Sequence, residues 1–151
     1  MIAIALLTEG LMPQLADLWV AAWTQAMPQI DFEARRPWLV TPLEGLPQQD
    51  YVTRCALEAG GALLGFVTMQ PRSGELDQIA VAPFAARRGL GRLLLAEARA
   101  LAPGVIRLTV NCDNGRALHF YEREGFVATG EGVNAMSGLR TLHMEWRATA
   151  I

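Results

Sequence analysis

The chain has 151 residues, 52% of them hydrophobic and 19% charged, with a formal net charge of −2. That length holds one domain with a substantial core, and that composition excludes a disordered chain. With no basic field and no uncharged run of bilayer length, neither a nucleic-acid partner nor a membrane is expected.

Ile2, Ile4 and Leu6 alternate with small residues and read as a first strand. The opening run Met1 to Leu7 lacks a positive leader and is too short to span a membrane. Thr8 is a candidate helix cap, with Pro13 near the first turn and Leu15, Leu18, Trp19 and Ala22 at helical spacing. From Thr24 to Gln49 the pattern is interrupted by Pro28, Pro37, Pro42 and Pro47, and a short helix is expected around Phe32 to Trp38. A hairpin follows: Tyr51 to Glu58, a turn at Ala59-Gly60-Gly61, then Ala62 to Gln70. Pro71 to Gly74 turns the chain into a strand from Glu75 to Ala82. A helix from Gly91 through Ala98 stops before Pro103-Gly104, Val105 to Asn111 is a strand, and Asn114 to Glu124 is a helix closed by Gly125. Phe126 to Gly130 and Leu139 to Trp146 complete a mainly antiparallel sheet.

This order implies one domain over residues 1–151, of α/β or α+β class, with helices on both faces of the sheet. Parity in the strand Glu75 to Ala82 is broken, because Leu76 falls on one face and Ile79 and Val81 on the other. A β-bulge between them would return all three to one side. Cys55 and Cys112 show no CxxC or Cys/His ligand spacing, and His119 and His143 stand alone. Reduced buried thiols, a cytoplasmic location and no metal site are the expectation.

Arg87-Arg88-Gly89-Leu90-Gly91-Arg92 lies between a strand and a helix start. Glycines allow close backbone approach, the first helical N–H groups point outward, and arginines add charge-assisted hydrogen bonds, so the loop suits a phosphate. It is not a Walker loop, since Gly91 is followed by Arg92-Leu93. It is not the dinucleotide fingerprint either, because Leu94 stands where a small residue is needed.

Leu76-Asp77-Gln78-Ile79-Ala80-Val81-Ala82-Pro83 followed by Arg87 to Leu94 resembles the acetyl-CoA motif of the GNAT (GCN5-related) N-acetyltransferase superfamily, V-x-P, a short loop, then Q/R-x-x-G-x-G/A. Ala86 departs from the Q/R position. A second block, Asn114-Gly115-Arg116-Ala117-Leu118-His119-Phe120-Tyr121-Glu122-Arg123-Glu124-Gly125-Phe126, is similar to the family's N-x-x-A-x-x-F/L-Y-x-x-x-G-F. The resemblance implies a mixed, mainly antiparallel sheet of six to seven strands with a bulge in the central strand. It implies acetyl-CoA as the acyl donor, held by Ile79, Ala80, Val81, Arg87, Arg88, Gly89, Leu90, Gly91, Arg92, Asn114 and Ala117. The backbone N–H of Ile79 would face the thioester oxygen, and Val81 would bond the pantetheine arm as if it were an added strand.

Acetyl transfer needs a neutral amine and a proton for the departing thiolate. The resemblance places Tyr121 against the coenzyme sulfur as the general acid, and a phenol is protonated at neutral pH. Glu75 aligns with the base carboxylate of histone-type members, while also fitting a solvated turn residue after Ser73-Gly74; Asp77 is the reserve. In the ribosomal-protein members the base lies on the next strand, where this chain has Thr109. Trp19, Trp23, Met27, Phe32 and Trp38 are expected near the acceptor, and Asp31, Glu33 and Glu44 could attract a cation. His143 is expected to face outward without a role. A small-molecule or peptide amine is the expected acceptor, and a homodimer is left open. The competing reading is an acyl-CoA-binding sensor or partner-binding module without turnover.

Overall fold

The computed structural model describes residues 2–37, 50–135 and 137–148. Trp38 and Glu44 lie outside the described residues. The strands are β1 (Ile2–Leu6), β2 (Val52–Glu58), β3 (Leu63–Gln70), β4 (Glu75–Val81), β5 (Val105–Asn111), β6 (Val127–Val133) and β7 (Arg140–Arg147). The helices are α1 (Met12–Ala26), α2 (Leu90–Leu101) and α3 (Gly115–Arg123). All seven strands form one sheet in the order β1-β2-β3-β4-β5-β7-β6. Every neighbouring pair is antiparallel except β4 and β5.

β3 lies at the heart of the core, with every residue from Leu63 to Met69 buried. Burial on both sides of a strand requires a cover on each. On one side α2 approaches so closely that a Cβ on Gly65 would lie 3.0 Å from Leu94 Cδ1 and 2.8 Å from the Ala80 carbonyl oxygen. The apolar stripe Leu90, Leu94, Leu95 and Ala98 is what α2 buries there. On the other side α1 packs Leu15, Leu18 and Trp19, and Phe32 meets Trp19 edge-on at 5.5 Å.

The bulge expected in β4 is present. Thr68 pairs with Gln78 and Met69 with Leu76, leaving Asp77 as the extra residue. Leu76, Ile79 and Val81 consequently oppose Met69, Val67 and Gly65, which share one face. The parity break in the sequence is thus resolved by one unpaired residue.

Three local expectations differ from the structure. Thr8 precedes a short 3-10 turn at Glu9–Leu11, so α1 begins only at Met12, with Pro13 in its first turn. Residues 32–35 are turns, and helical backbone starts at Arg36. β6 extends beyond Gly130 to Val133, with a register shift between Ala128 and Gly130 that leaves Thr129 as the extra residue.

Candidate active site

β4 and β5 are the two parallel neighbours in the sheet, and their ladder consists of one pair, Glu75 with Arg107. It is anchored by Arg107 N–H donating to the Gly74 carbonyl at 2.9 Å. Beyond that point the strands separate, and the β5-facing edge of β4 runs unpaired to Val81. A parallel pair joined through a long crossover is free to diverge in this way, because no hairpin holds it. Gly74 sets the hinge of the seam: its φ is +78°, and a Cβ there would lie 2.2 Å from the Val105 carbonyl oxygen.

A cleft of about 840 Å³ opens along this seam. Its walls are Ile79, Ala80 and Val81 of β4, the turn Ala86, Arg87 and Gly89 with the first turn of α2, the outer part of α3, and Ala22, Trp23, Gln25 and Ala26 of α1. Gly89 is the N-cap of α2 with φ 74°, a left-handed conformation that suits glycine. Arg87 also has positive φ, at 68°. The α2 N-terminus therefore faces the cleft with its free N–H groups and the positive end of its dipole.

Gly91 has a different cause. A Cβ at that position would lie 3.2 Å from the Phe120 ring, so the missing side chain lets α3 close against the start of α2. Arg92 reaches Glu124 at 3.3 Å, and the same carboxylate meets Arg99 at 3.3 Å. Arg88 turns out of the cleft, pairing with Glu58 of β2 at 3.5 Å. Of the expected donor-binding residues, all but Arg88 line the cleft.

Asn114 caps α3, accepting from the Ala117 backbone N–H at 3.2 Å. Two turns on, Tyr121 is 7% exposed and lines the cleft. Its ring packs on Phe120 at 5.3 Å and on Phe126 at 5.4 Å. Burial pushes the phenol well above its ordinary value, so it stays protonated throughout the neutral range.

Glu75 stands at the closed end of the seam and is exposed, outside the lining of the cleft. The Tyr51 phenol is pushed up to about 12, first by burial, then by its hydrogen bonding with Glu75, then by the charges of Glu75 and Asp77. The carboxyl of Asp77 is raised by desolvation and by the Glu75 charge. The Asp77 residue is open to water on one side, yet protein atoms crowd its carboxyl at the bulge. Tyr51, Glu75 and Asp77 form one coupled acidic group, of which the sequence reading had singled out the two carboxylates alone.

On the β5 side, Thr109 Oγ1 and His143 Nδ1 are 2.9 Å apart, joined by the pairing of β5 with β7. His143 is exposed, as expected, but it has this partner. Met27 caps the same face, accepting at sulfur from Asn111 Nδ2 at 3.3 Å. Cys55 is buried and Cys112 half-buried, both as free thiols. Among the described residues, no group of His, Cys, Asp and Glu could hold a metal ion, and no helix is long and apolar enough to cross a membrane.

Residues 12–126 match the sequence profile of the acetyltransferase (GNAT) family. The peptidyl-lysine N-acetyltransferase YiaC of Escherichia coli K12 is 29% identical over 135 residues, covering 89% of this chain and 90% of YiaC. A mycothiol acetyltransferase of Rhodococcus opacus B4 is 44% identical over 61 residues, 38% of this chain. The chain spans only about a fifth of that protein's length, the match covering 20% of it. Among solved structures, apo YjaB of Escherichia coli superposes with a TM-score of 0.77 at 21% identity, covering 99% of both chains. PaiA N-acetyltransferase of Thermoplasma acidophilum, in complex with coenzyme A, superposes with a TM-score of 0.76 at 19% identity, covering 97% of this chain and 99% of PaiA.

Proposed function

The chain belongs to the acetyltransferase (GNAT) family, and from that premise we propose that it moves an acetyl group from acetyl-CoA to a primary amine by direct attack. The observation that carries this reading is the seam: an unpaired β4 edge, leading from the α2 phosphate cradle to a buried, protonated tyrosine. An extended pantetheine arm fits such an edge, because its amides can take the hydrogen bonds that a neighbouring strand would make. Its pyrophosphate then meets the N–H groups of Gly89 to Gly91, with Arg87 and Arg92 beside them.

In this reading the thioester lies by Ile79, whose N–H would oppose charge developing on the carbonyl oxygen. The amine arrives as an ammonium and loses a proton, through water, to Glu75. Asp77, its carboxyl already raised, is the nearby second acceptor. Attack forms the nitrogen–carbon bond, the acylated nitrogen sheds its remaining excess proton to solvent, and collapse breaks the carbon–sulfur bond. Tyr121 gives its proton to the departing sulfur and regains one from solvent after coenzyme A leaves. The similarity to YiaC over most of both chains makes peptidyl lysine the first acceptor to try.

The test is release of coenzyme A thiol from acetyl-CoA with a panel of amines, led by lysine-containing peptides and polyamines. Amine-dependent release supports the reading. Tight acetyl-CoA binding with no turnover on any amine would instead favour a sensor built on the same cleft.

A further inference from the structure

Resting on that acetyl-transfer reading, we propose that Thr109 and His143 are the proton exit on the β5 side of the seam. The proton that the acylated nitrogen sheds passes to Thr109 Oγ1 as the Thr109 hydroxyl passes its own to His143 Nδ1. The ladder of β4 and β5 ends at Glu75 with Arg107, so Thr109, two residues on, stands across the opening strands from the Asp77 bulge. Arg107, Thr109 and Asn111 share one side of β5 by the two-residue repeat of a strand. Asn111 donates to the Met27 sulfur at the end of α1, and the neighbouring Ala26 lines the cleft. This side of β5 therefore meets the cleft at its α1 wall.

A threonine opposite a histidine is by itself an ordinary cross-strand pair. The seating of the imidazole sets this one apart. Its Nδ1 is 2.9 Å from Thr109 Oγ1 on β5, while its other edge lies over β6. There β6 presents Gly130 and Gly132, paired with His143 and Thr141. A Cβ on Gly132 would lie 3.1 Å from His143 Nε2, and one on Gly130 would lie 3.6 Å from its Cδ2. Two bare positions thus let the ring lie along the sheet with Nδ1 turned towards β5 and the seam. Thr109 and His143 are both exposed, so the ring can exchange protons with water. The charged groups beside them on this face are Arg107 and Glu145, which pair with each other at 3.4 Å, with Arg147 on the same carboxylate. Glu75 and Asp77 approach from β4, and β6 contributes only its glycines. Among the described residues no carboxylate is bonded to the imidazole, and its partner is the Thr109 hydroxyl.

A threonine hydroxyl is no base at neutral pH, but it can accept one proton while donating another. Histidine changes charge between about pH 5 and 8, so it can hold the proton that threonine cannot. Strands lie about 4.8 Å apart, which puts the imidazole one strand beyond the seam and makes Thr109 the bridge. A primary ammonium gives up two protons on its way to an amide. In the reading above Glu75 has taken the first, so the second needs another acceptor. The balance closes: the acetylated nitrogen keeps one hydrogen, Thr109 is again a hydroxyl, and the imidazolium returns its proton to water once the product has left.

The test is thiol release from acetyl-CoA with a lysine-containing peptide and with polyamines, followed from about pH 5 to 8. Wild-type kcat should climb through that range as the imidazole becomes neutral. His143→Gln and Thr109→Val should each lose the climb and fall about a hundredfold at its upper end, the lower end of what general acid–base catalysis contributes. The double variant should be no worse than either single one, because both side chains belong to one relay. Thr109→Ser keeps the hydroxyl and should recover the rate and profile that Thr109→Val loses. Acetyl-CoA affinity by calorimetry and the melting temperature should hold in all of them, since both positions are exposed. A wild-type rate and profile in either single variant overturns the proposal and leaves a cross-strand contact. So does a loss of rate with the climb intact, or one that Thr109→Ser does not recover, which would make the pair a packing element. A climb removed by Glu75→Gln or Asp77→Asn but not by His143→Gln also overturns it, giving the exit to β4. These three results leave acetyl transfer standing. If wild type releases no thiol with any of these amines, the acetyl-transfer reading itself fails, and the relay with it.

Discussion

Tyr121→Phe separates a chemical role for this residue from a packing role. The ring is 7% exposed and sits between Phe120 and Phe126, at 5.3 and 5.4 Å. Aromatic pairs of this kind are worth about 0.5–1.5 kcal/mol each beyond area burial, and phenylalanine keeps both. No described residue shares a hydrogen bond with the hydroxyl, so its removal strands no partner. The stability change should then be below about 1 kcal/mol, or no more than a few degrees in Tm for a chain of this size. Loss of a general acid costs about 10²–10⁴-fold in kcat, which is about 3 to 5 kcal/mol of barrier. Acetyl-CoA affinity should hold, because the proton is needed only as the thiolate leaves. Thiol release, calorimetric binding and thermal melting on one preparation measure all three. A variant that melts several degrees lower yet turns over at the wild-type rate per folded molecule would refute the reasoning and make Tyr121 a core residue.

Gly89→Asp should fold, since no atom lies within 4 Å of a Cβ there, but acetyl-CoA should no longer raise its Tm. A preserved thermal shift would move the phosphate cradle elsewhere. Gly74→Ala should cost more than about 2 kcal/mol by urea titration, through a positive φ and overpacking against Val105, and a neutral result would contradict the hinge. Deletion of Asp77 should leave the fold standing, because Leu76, Gln78 and Ile79 then oppose Met69, Thr68 and Val67 in unbroken alternation. Turnover should nevertheless be lost with the bend, and full activity would show that the bulge is dispensable. Tyr121 and the groups of Cys55 (pushed up to about 11) and Tyr51 (about 12) are raised by burial, so the folded chain holds protons that the unfolded chain releases from about pH 8.5–10 upward. Their contribution is present at neutral pH and is lost as pH climbs through the folded values, so the urea midpoint should fall between pH 9 and 11.5. A flat profile would contradict their burial.

What the sequence disclosed was carried by short-range constraints. The β4 bulge was legible because one strand cannot bury Leu76, Ile79 and Val81 on the same side without an extra residue. The glycine turn before α2 and the α3 cap were legible because glycine and asparagine at helix starts answer to local backbone geometry. Arg88 was grouped with its neighbours, since sequence places a side chain on a loop but not its direction; only the approach of Glu58 from β2 turns it away. The partnership of Thr109 with His143 depends on β5 lying beside β7, thirty-four residues distant, and no periodicity within either strand encodes it. Tyr51 escaped notice for the same reason, being drawn to Glu75 across β3.

The seam also gives a physical reason for the proposed binding surface to lie at this place in the fold. Backbone N–H and C=O groups in the middle of a sheet are normally paired, and leaving them unpaired in a dry interior costs about 1–3 kcal/mol apiece. β4 avoids that cost by separating from β5 past Glu75, so that its free edge meets the cleft and its water. The bulge at Asp77 strengthens the local bend, while Gly74 and the Glu75–Arg107 pair fix the closed end. An edge of this kind is selective. A side chain-bearing strand would need space on both faces, which α1 and α2 already occupy, whereas a thin chain carrying amides can enter between them. Phosphate at one end and a proton donor at the other then fix the direction in which such a chain must lie. The direction follows from the backbone: the free edge runs from the acidic group at Glu75 towards Val81 and the N-terminus of α2, so in the proposed function the anion would bind beyond Val81 and the reacting end would point back towards Glu75.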